Sequence, residues 1–154
     1  MGSKLLKYAK SSSLNNITIK VGDEDLKFNL YKELGIDDEQ LDSDLISNSR
    51  IFGYLSIVYN RLTEKQKLLE LEHDQLKGDI YNKLSKDINP TTGRAYSKDA
   101  IELQLVKDKT FAKQEIDLIR LKTQVADIKA CIAAFEQRKD LLQTASANRR
   151  AENK

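Results

Sequence analysis

Between Ser97 and Asn148, apolar side chains recur every seven residues along two interleaved rows. Phe111, Leu118, Val125 and Ile132 form one row, and Leu121, Ile128, Phe135 and Leu142 form the other, three positions ahead. Two such rows fall on one stripe of a helix, the a and d positions of a coiled-coil seam. Neither Pro nor Gly interrupts the stretch. It therefore predicts one continuous helix, on the order of 75 Å long at ~1.5 Å per residue. Such a helix has little of itself to pack against and needs a partner, in the same chain or in another copy.

A second helical pattern runs from Leu45 to about Asp87. Leu55, Leu62, Leu69 and Leu76 recur at seven, and Ile51 and Val58 supply the intermediate row, which continues with Lys65, Glu72 and Asp79. The seam is thus expected to be dry at its start and wet further on, where polar residues cost stability but can set register. Residues 88–96 break the two helices. Asn89-Pro90 ends the first, because Pro disfavours helical geometry in the residue before it. Thr91-Thr92-Gly93 supplies a turn, and Ser97 can cap the second helix. The expected fold is all-α: residues 45–154 form a long antiparallel helical hairpin, a coiled-coil rod with Pro90 to Tyr96 at its tip. The rows exceed what one hairpin is expected to bury, which points to a homo-oligomer. Leu55, Leu62, Leu118, Leu121, Val125, Ile128, Ile132 and Phe135 are the candidate oligomerisation residues.

The first 44 residues follow other patterns. Residues 1–16, with Ser11-Ser12-Ser13 and Asn15-Asn16, read as a flexible basic arm. Residues 17–44 read as a small hairpin followed by an acidic segment. Ile17, Ile19 and Val21 alternate with polar residues, as do Leu26, Phe28 and Leu30, on either side of Gly22-Asp23-Glu24-Asp25. Alternation across a turn-rich tetrad is a β-hairpin signal, and a lone hairpin must dock on something to be stable. The competing reading makes Leu26 to Leu34 a short helix ended by Gly35. In the acidic segment, Asp37 or Asp42 is available to cap helical turns.

Composition sharpens this picture. Of 154 residues, 32% are charged and only 6% aromatic, with no Trp and one Pro, a profile closer to long helices than to a compact enzyme. The net charge of +2 conceals segregation. Met1 to Val21 holds four Lys and no acid, Gly22 to Asp44 holds nine acids against Lys27 and Lys32, and the remainder is mildly basic. Cys131 is the only cysteine, so no internal disulfide or cysteine-rich metal site can form; it reads as a small apolar helix residue. His73, the only histidine, is flanked by Glu70, Glu72 and Asp74 and reads as a solvated residue. No apolar run approaches the ~18 residues of a membrane span. Met1 to Lys10 lacks the apolar core and cleavage site of a secretory signal. The expected location is cytoplasmic.

The enzyme templates fail. There is no Gly-rich phosphate loop, no Gly-x-Ser-x-Gly elbow and no His or Cys pair at metal spacing, so no catalytic residue, metal or cofactor is assigned. Basic and aromatic residues do gather near the expected tip: Tyr81, Lys83, Lys86, Arg94, Tyr96 and Lys98. Cations neutralise phosphates while aromatic faces stack unpaired bases, a mixture suited to single-stranded nucleic acid. Arg138, Lys139, Arg149 and Arg150 form a second basic set, expected at the opposite end of a simple hairpin. The rival reading is a coiled-coil structural or adaptor protein with no nucleic-acid role, whose lysines are merely solvated.

The order of features from about Leu30 resembles the UvsY-type recombination mediators of tailed phages. Leu30-Tyr31-Lys32-Glu33 supplies a Leu-x-x-acid element, followed by Ile36-Asp37 and Leu41. Then come a first long helix with an early Tyr54, a mid-chain break, and Asp108-Lys109 opening the main part of the second helix. Arg138 and Arg149, eleven positions apart, reproduce the closing arginine pair. The family's basic residue followed by a Tyr-Tyr-Ser-Gly-like run is not reproduced; the corresponding stretch is Ile80 to Lys86, where Lys83 can take the basic role. The first twenty-five or so residues have no counterpart in the pattern. The resemblance implies a non-enzymatic accessory protein of phage homologous recombination. Such a protein binds single-stranded DNA as a ring-like homo-oligomer, helps displace the single-strand-binding protein and loads a RecA-like recombinase, in the host cytoplasm if phage-encoded.

Overall fold

The computed structural model describes residues 3–152; Met1 and Gly2 of the basic arm, and the last two residues of the basic C-terminal end, lie outside them. The chain divides into two compact units. The first comprises Met1–Arg61 with Gln124–Lys154, and the second Leu62–Thr123. Helices α3 (Leu41–Leu84) and α5 (Lys109–Glu152) contribute residues to both.

In the first unit, the chain begins with α1 (Lys4–Ser11), capped by the Ser3 hydroxyl, and a 3₁₀ turn at Ser13–Asn15. An antiparallel β-hairpin follows, made of β1 (Asn16–Val21) and β2 (Glu24–Asn29). Its loop is shorter than the expected tetrad, because Val21 pairs with Glu24 and only Gly22 and Asp23 turn. Gly22 has φ +62°, a conformation that costs glycine little and other residues considerably more. Ile19 lies opposite Leu26 and Ile17 opposite Phe28, so the alternating residues share one face. Ile19 is fully buried. Of the two readings of this stretch the hairpin is the one formed, and helix is confined to α2 (Leu30–Glu33), capped by the Asn29 side chain.

The same unit packs the start of α3 antiparallel to the end of α5. Leu55 and Val58 on α3, and Ile128, Phe135 and Leu142 on α5, are all buried. Buried Asn48 donates to the carbonyl oxygen of Phe135 at 3.0 Å, and Ser146 donates to Asp42 at 3.4 Å.

The second unit also packs α3 antiparallel to the chain beyond its turn. Glu70 pairs with Lys122 at 3.0 Å, and Lys77 with Glu102 at 3.7 Å. The turn is more ordered than a plain break. Ile88–Asn89 (β3) pairs with Arg94–Ala95 (β4), Asn89 Oδ1 accepts from the Thr91 amide at 2.9 Å, and Gly93 adopts φ +65°. Ser97 then caps α4 (Lys98–Lys107), which buries Ile101 and Leu105.

Three sequence expectations are corrected here. The second helix is not continuous: Asp108 (φ −70°, ψ 121°) ends α4 and opens α5 by accepting from the Phe111 amide at 2.8 Å. The wet seam positions are also displaced. Lys65, Glu72 and Asp79 are exposed, and the half-buried positions are Gln66, His73 and Ile80. His73 accordingly is not a solvated surface residue. It stacks on Phe111, with ring centroids 4.3 Å apart and planes at 26°, and its Nδ1 lies 3.4 Å from Gln114 Oε1.

Candidate nucleic-acid interface

A set of exposed cations gathers at the turn of the second unit. Lys83 closes α3, Lys86 lies in the bend after it, Arg94 sits in β4, and Lys98 opens α4. All four are exposed, while Tyr81 and Tyr96 are half-buried. Among the described residues none of these cations has an ion-pair partner, whereas further along the helices Lys77 and Lys122 are engaged by Glu102 and Glu70. Asp87 and Asp99 lie nearby in the chain but leave the segment from Tyr81 to Asp99 net positive. The β3–β4 pairing sets Arg94 opposite Asn89 and leaves Ile88 70% exposed beside it. A small ribbon flanked by free cations, with one apolar side chain on its surface, offers phosphate contacts and a face on which a base can rest.

The second basic set behaves differently. Arg138, expected to contact DNA, is only 6% exposed. Its guanidinium donates to the Gly35 carbonyl through Nη2 at 2.7 Å and Nε at 3.1 Å. It also donates to Asn48 Oδ1 at 3.1 Å and pairs with the Asp44 carboxylate at 3.3 Å. All this hydrogen-bonding capacity is spent inside the first unit, unlike that of the exposed cations at the turn. Arg149 and Arg150 are exposed. They line an open groove of about 490 Å³ together with Ser146, Glu39 and Asp42. Arg149 donates to the Asp38 carbonyl at 3.0 Å and Arg150 to Ser146 Oγ at 3.4 Å. The two carboxylates in that groove offset its positive charge.

The candidate oligomerisation residues are largely occupied within the chain. Leu55, Leu62, Leu118, Leu121, Ile128 and Phe135 are buried, and Val125 and Ile132 half-buried. Their seam packs within the chain, where α3 meets the returning helix. Cys131 is buried too, and desolvation, followed by the nearby Asp127, pushes its thiol above the ordinary range. Among the described residues, no cluster of three or more His, Cys, Asp or Glu could hold a metal ion. No helix among them is long and apolar enough to cross a membrane.

Sequence reasoning passed over one surface. On α1, Leu5 is 76%, Leu6 55% and Tyr8 73% exposed, although their spacing was legible as an apolar face over two turns.

The fold is thus that of an antiparallel helical hairpin carrying a small β-hairpin near its N-terminus, with free cations gathered at the helical turn. No protein-family model and no curated protein sequence matches the chain. Solved structures do. Crystal structures of the bacteriophage T4 recombination mediator protein UvsY superimpose with a TM-score of 0.65. One is 16% identical and covers 80% of this chain and 92% of its own; another is 14% identical and covers 81% and 93%. The chain has a UvsY-like fold.

Proposed function

We propose that this protein is a recombination mediator, not an enzyme, which binds single-stranded DNA and assists the loading of a RecA-like recombinase. The observation that carries the proposal is the UvsY-like fold, shared over four-fifths of the chain with a protein described as a recombination mediator. The free cations Lys83, Lys86, Arg94 and Lys98, with Tyr81 and Tyr96 between them, support the choice of ligand. Each phosphate contact releases counterions and is weak by itself, and self-association multiplies such contacts into useful avidity. The partners on this reading are single-stranded DNA, the recombinase, the single-strand-binding protein that must be displaced, and further copies of the chain. The exposed acids Asp37, Asp38 and Glu39 offer a surface for protein partners that DNA would not occupy.

The deciding experiment is fluorescence anisotropy of labelled oligo-dT titrated with the protein at several salt concentrations, with a duplex competitor. Binding that prefers the single strand and weakens steeply with salt is expected. Absence of binding at low salt, by a folded and assembled protein, would overturn the mediator reading in favour of a structural adaptor.

A further inference from the structure

Helix α1 is amphipathic, and no described residue of its own chain covers it. At about 100° per residue, Tyr8, Leu5, Ala9 and Leu6 fall on one side, and Lys4, Lys7, Lys10 and Ser11 on the other. The sequence carries no acid before Val21, and every residue of α1 is exposed. Leu5, Leu6 and Tyr8 are each more than half exposed. A soluble surface seldom leaves three large apolar side chains together without a use for them. The end of α1 is held against its own 3₁₀ turn, where Asn15 Nδ2 donates to the Ala9 carbonyl.

The first unit also contains a surface of matching chemistry. An open groove of about 220 Å³ lies between the β-hairpin and α3, lined by Leu26, Phe28, Ile51, Tyr54 and Leu55, with the carboxylate-bearing Glu33 among them. Tyr54 is 49% exposed. The groove's walls come partly from the segment between Gly22 and Asp44, which holds nine acids against two lysines. An apolar helix face edged by lysines and an apolar groove within the acidic part of the chain are complementary in both shape class and charge.

We infer that α1 of one copy seats in this groove of a second copy, with Leu5, Leu6 and Tyr8 against the apolar walls and its lysines toward Glu33 and the neighbouring acids. Each copy then has one arm to give and one groove to fill. That contact is heterologous, so it closes into a ring where the rotation permits and otherwise propagates as a filament. It also explains how copies can associate although the heptad seam is consumed within each hairpin. The inference rests on the self-association in the proposed function and not on its DNA binding.

The test uses the full chain with Cys131→Ala as background. Leu5→Cys and Tyr54→Cys are placed in separately tagged proteins, which are mixed and oxidised. A disulfide joining the two tags is expected from the mixture. In parallel, the exposed pair is changed to Leu5→Glu/Leu6→Glu, and mass in solution is measured by light scattering. A fall to the monomer mass with unchanged helicity is expected. Three results would overturn the inference: no disulfide from the mixture, closure within one chain when both cysteines are in the same dilute protein, or an unchanged mass of the glutamate variant. Oligo-dT anisotropy on the same variant keeps the two proposals apart. Residual DNA binding by a monomeric variant supports the arm contact and leaves the nucleic-acid site at the helical turn. An assembled variant that binds no DNA would count against both.

Discussion

Arg138 grips the carbonyl oxygen of Gly35 with two donors, Nη2 at 2.7 Å and Nε at 3.1 Å. The same guanidinium meets Asp44 and Asn48 on α3, and Asn48 in turn donates to Phe135 on α5. One side chain therefore ties the loop after α2 to the start of α3 and to α5. Arg138→Ala leaves the buried Asn48 Oδ1 without its donor, and an unsatisfied buried polar group costs about 1–3 kcal/mol. The unfolding free energy from urea titration is expected to fall by about that amount. Arg138→Lys keeps the charge but not the planar fork and should restore less than half of the loss. A change in both variants below about 0.5 kcal/mol, the range of ordinary surface substitutions, would mean that the network does not hold the unit together.

The buried seam makes a second prediction. Ile128 is 0% exposed within one chain, so its truncation should act on the folding of the protomer before it acts on assembly. Ile128→Ala is expected to cost about 2–5 kcal/mol, seen as a lower urea midpoint at every protein concentration. A variant of unchanged protomer stability that merely dissociates would return Ile128 to an interface between copies.

Particular residues show what was legible in the sequence. Leu118, Leu121, Ile128 and Phe135 announced a buried stripe, because the heptad period is the same whether the partner is a neighbouring copy or the returning half of the chain. For that reason the period gave the face and not the partner. From periodicity alone Asp108 was harder to read as a break, since no Pro or Gly accompanies it, and only the family resemblance put Asp108-Lys109 at the opening of the main part of the second helix. Its signature is an N-cap aspartate three residues before Phe111, visible only once a break is suspected. The shift from Lys65 and Glu72 to Gln66 and His73 had no hydrophobic signal at all. Arg138 looked like a free cation because nothing local betrays a carbonyl 103 residues away.

The Asp108 cap can be tested directly. Replacing a capping aspartate by alanine typically costs about 0.5–2 kcal/mol. Asp108→Ala should therefore lower stability by roughly 1 kcal/mol, while Asp108→Asn should lose little. Equal losses in the two variants would show that the carboxylate's charge, rather than its bond to the Phe111 amide, is what matters.

Glu70 provides a pH-dependent prediction. The Gln66 amide at 3.1 Å, and then the Lys122 ammonium at 3.0 Å, hold its carboxyl below the ordinary value of 4.5. A carboxylate depressed in the folded state contributes stability that is fully present above its unfolded pKa, ~4.3 for glutamate. That contribution is lost as pH falls through the lower folded value. Glu70→Gln should thus differ most from the parent at neutral pH and converge with it in the acid range. Parallel curves of urea midpoint against pH, from neutrality to below pH 4, would show that this pair does not couple to folding.

The cations at the helical turn make the most direct prediction about function. On single strands, each neutralised phosphate contributes about −0.7 to the slope of log K against log salt. Replacing Lys83, Lys86 and Arg94 together by alanine should therefore reduce the magnitude of that slope by about 2 for each protomer engaged, at the same ~0.7 per contact. Affinity for oligo-dT should fall most at low salt, where these contacts contribute most. Because all three side chains are exposed, helicity and mass in solution are expected to remain those of the parent. An unchanged slope would move the phosphate contacts away from the turn. Arg149 and Arg150 would then be the next residues to replace, despite the carboxylates that share their groove.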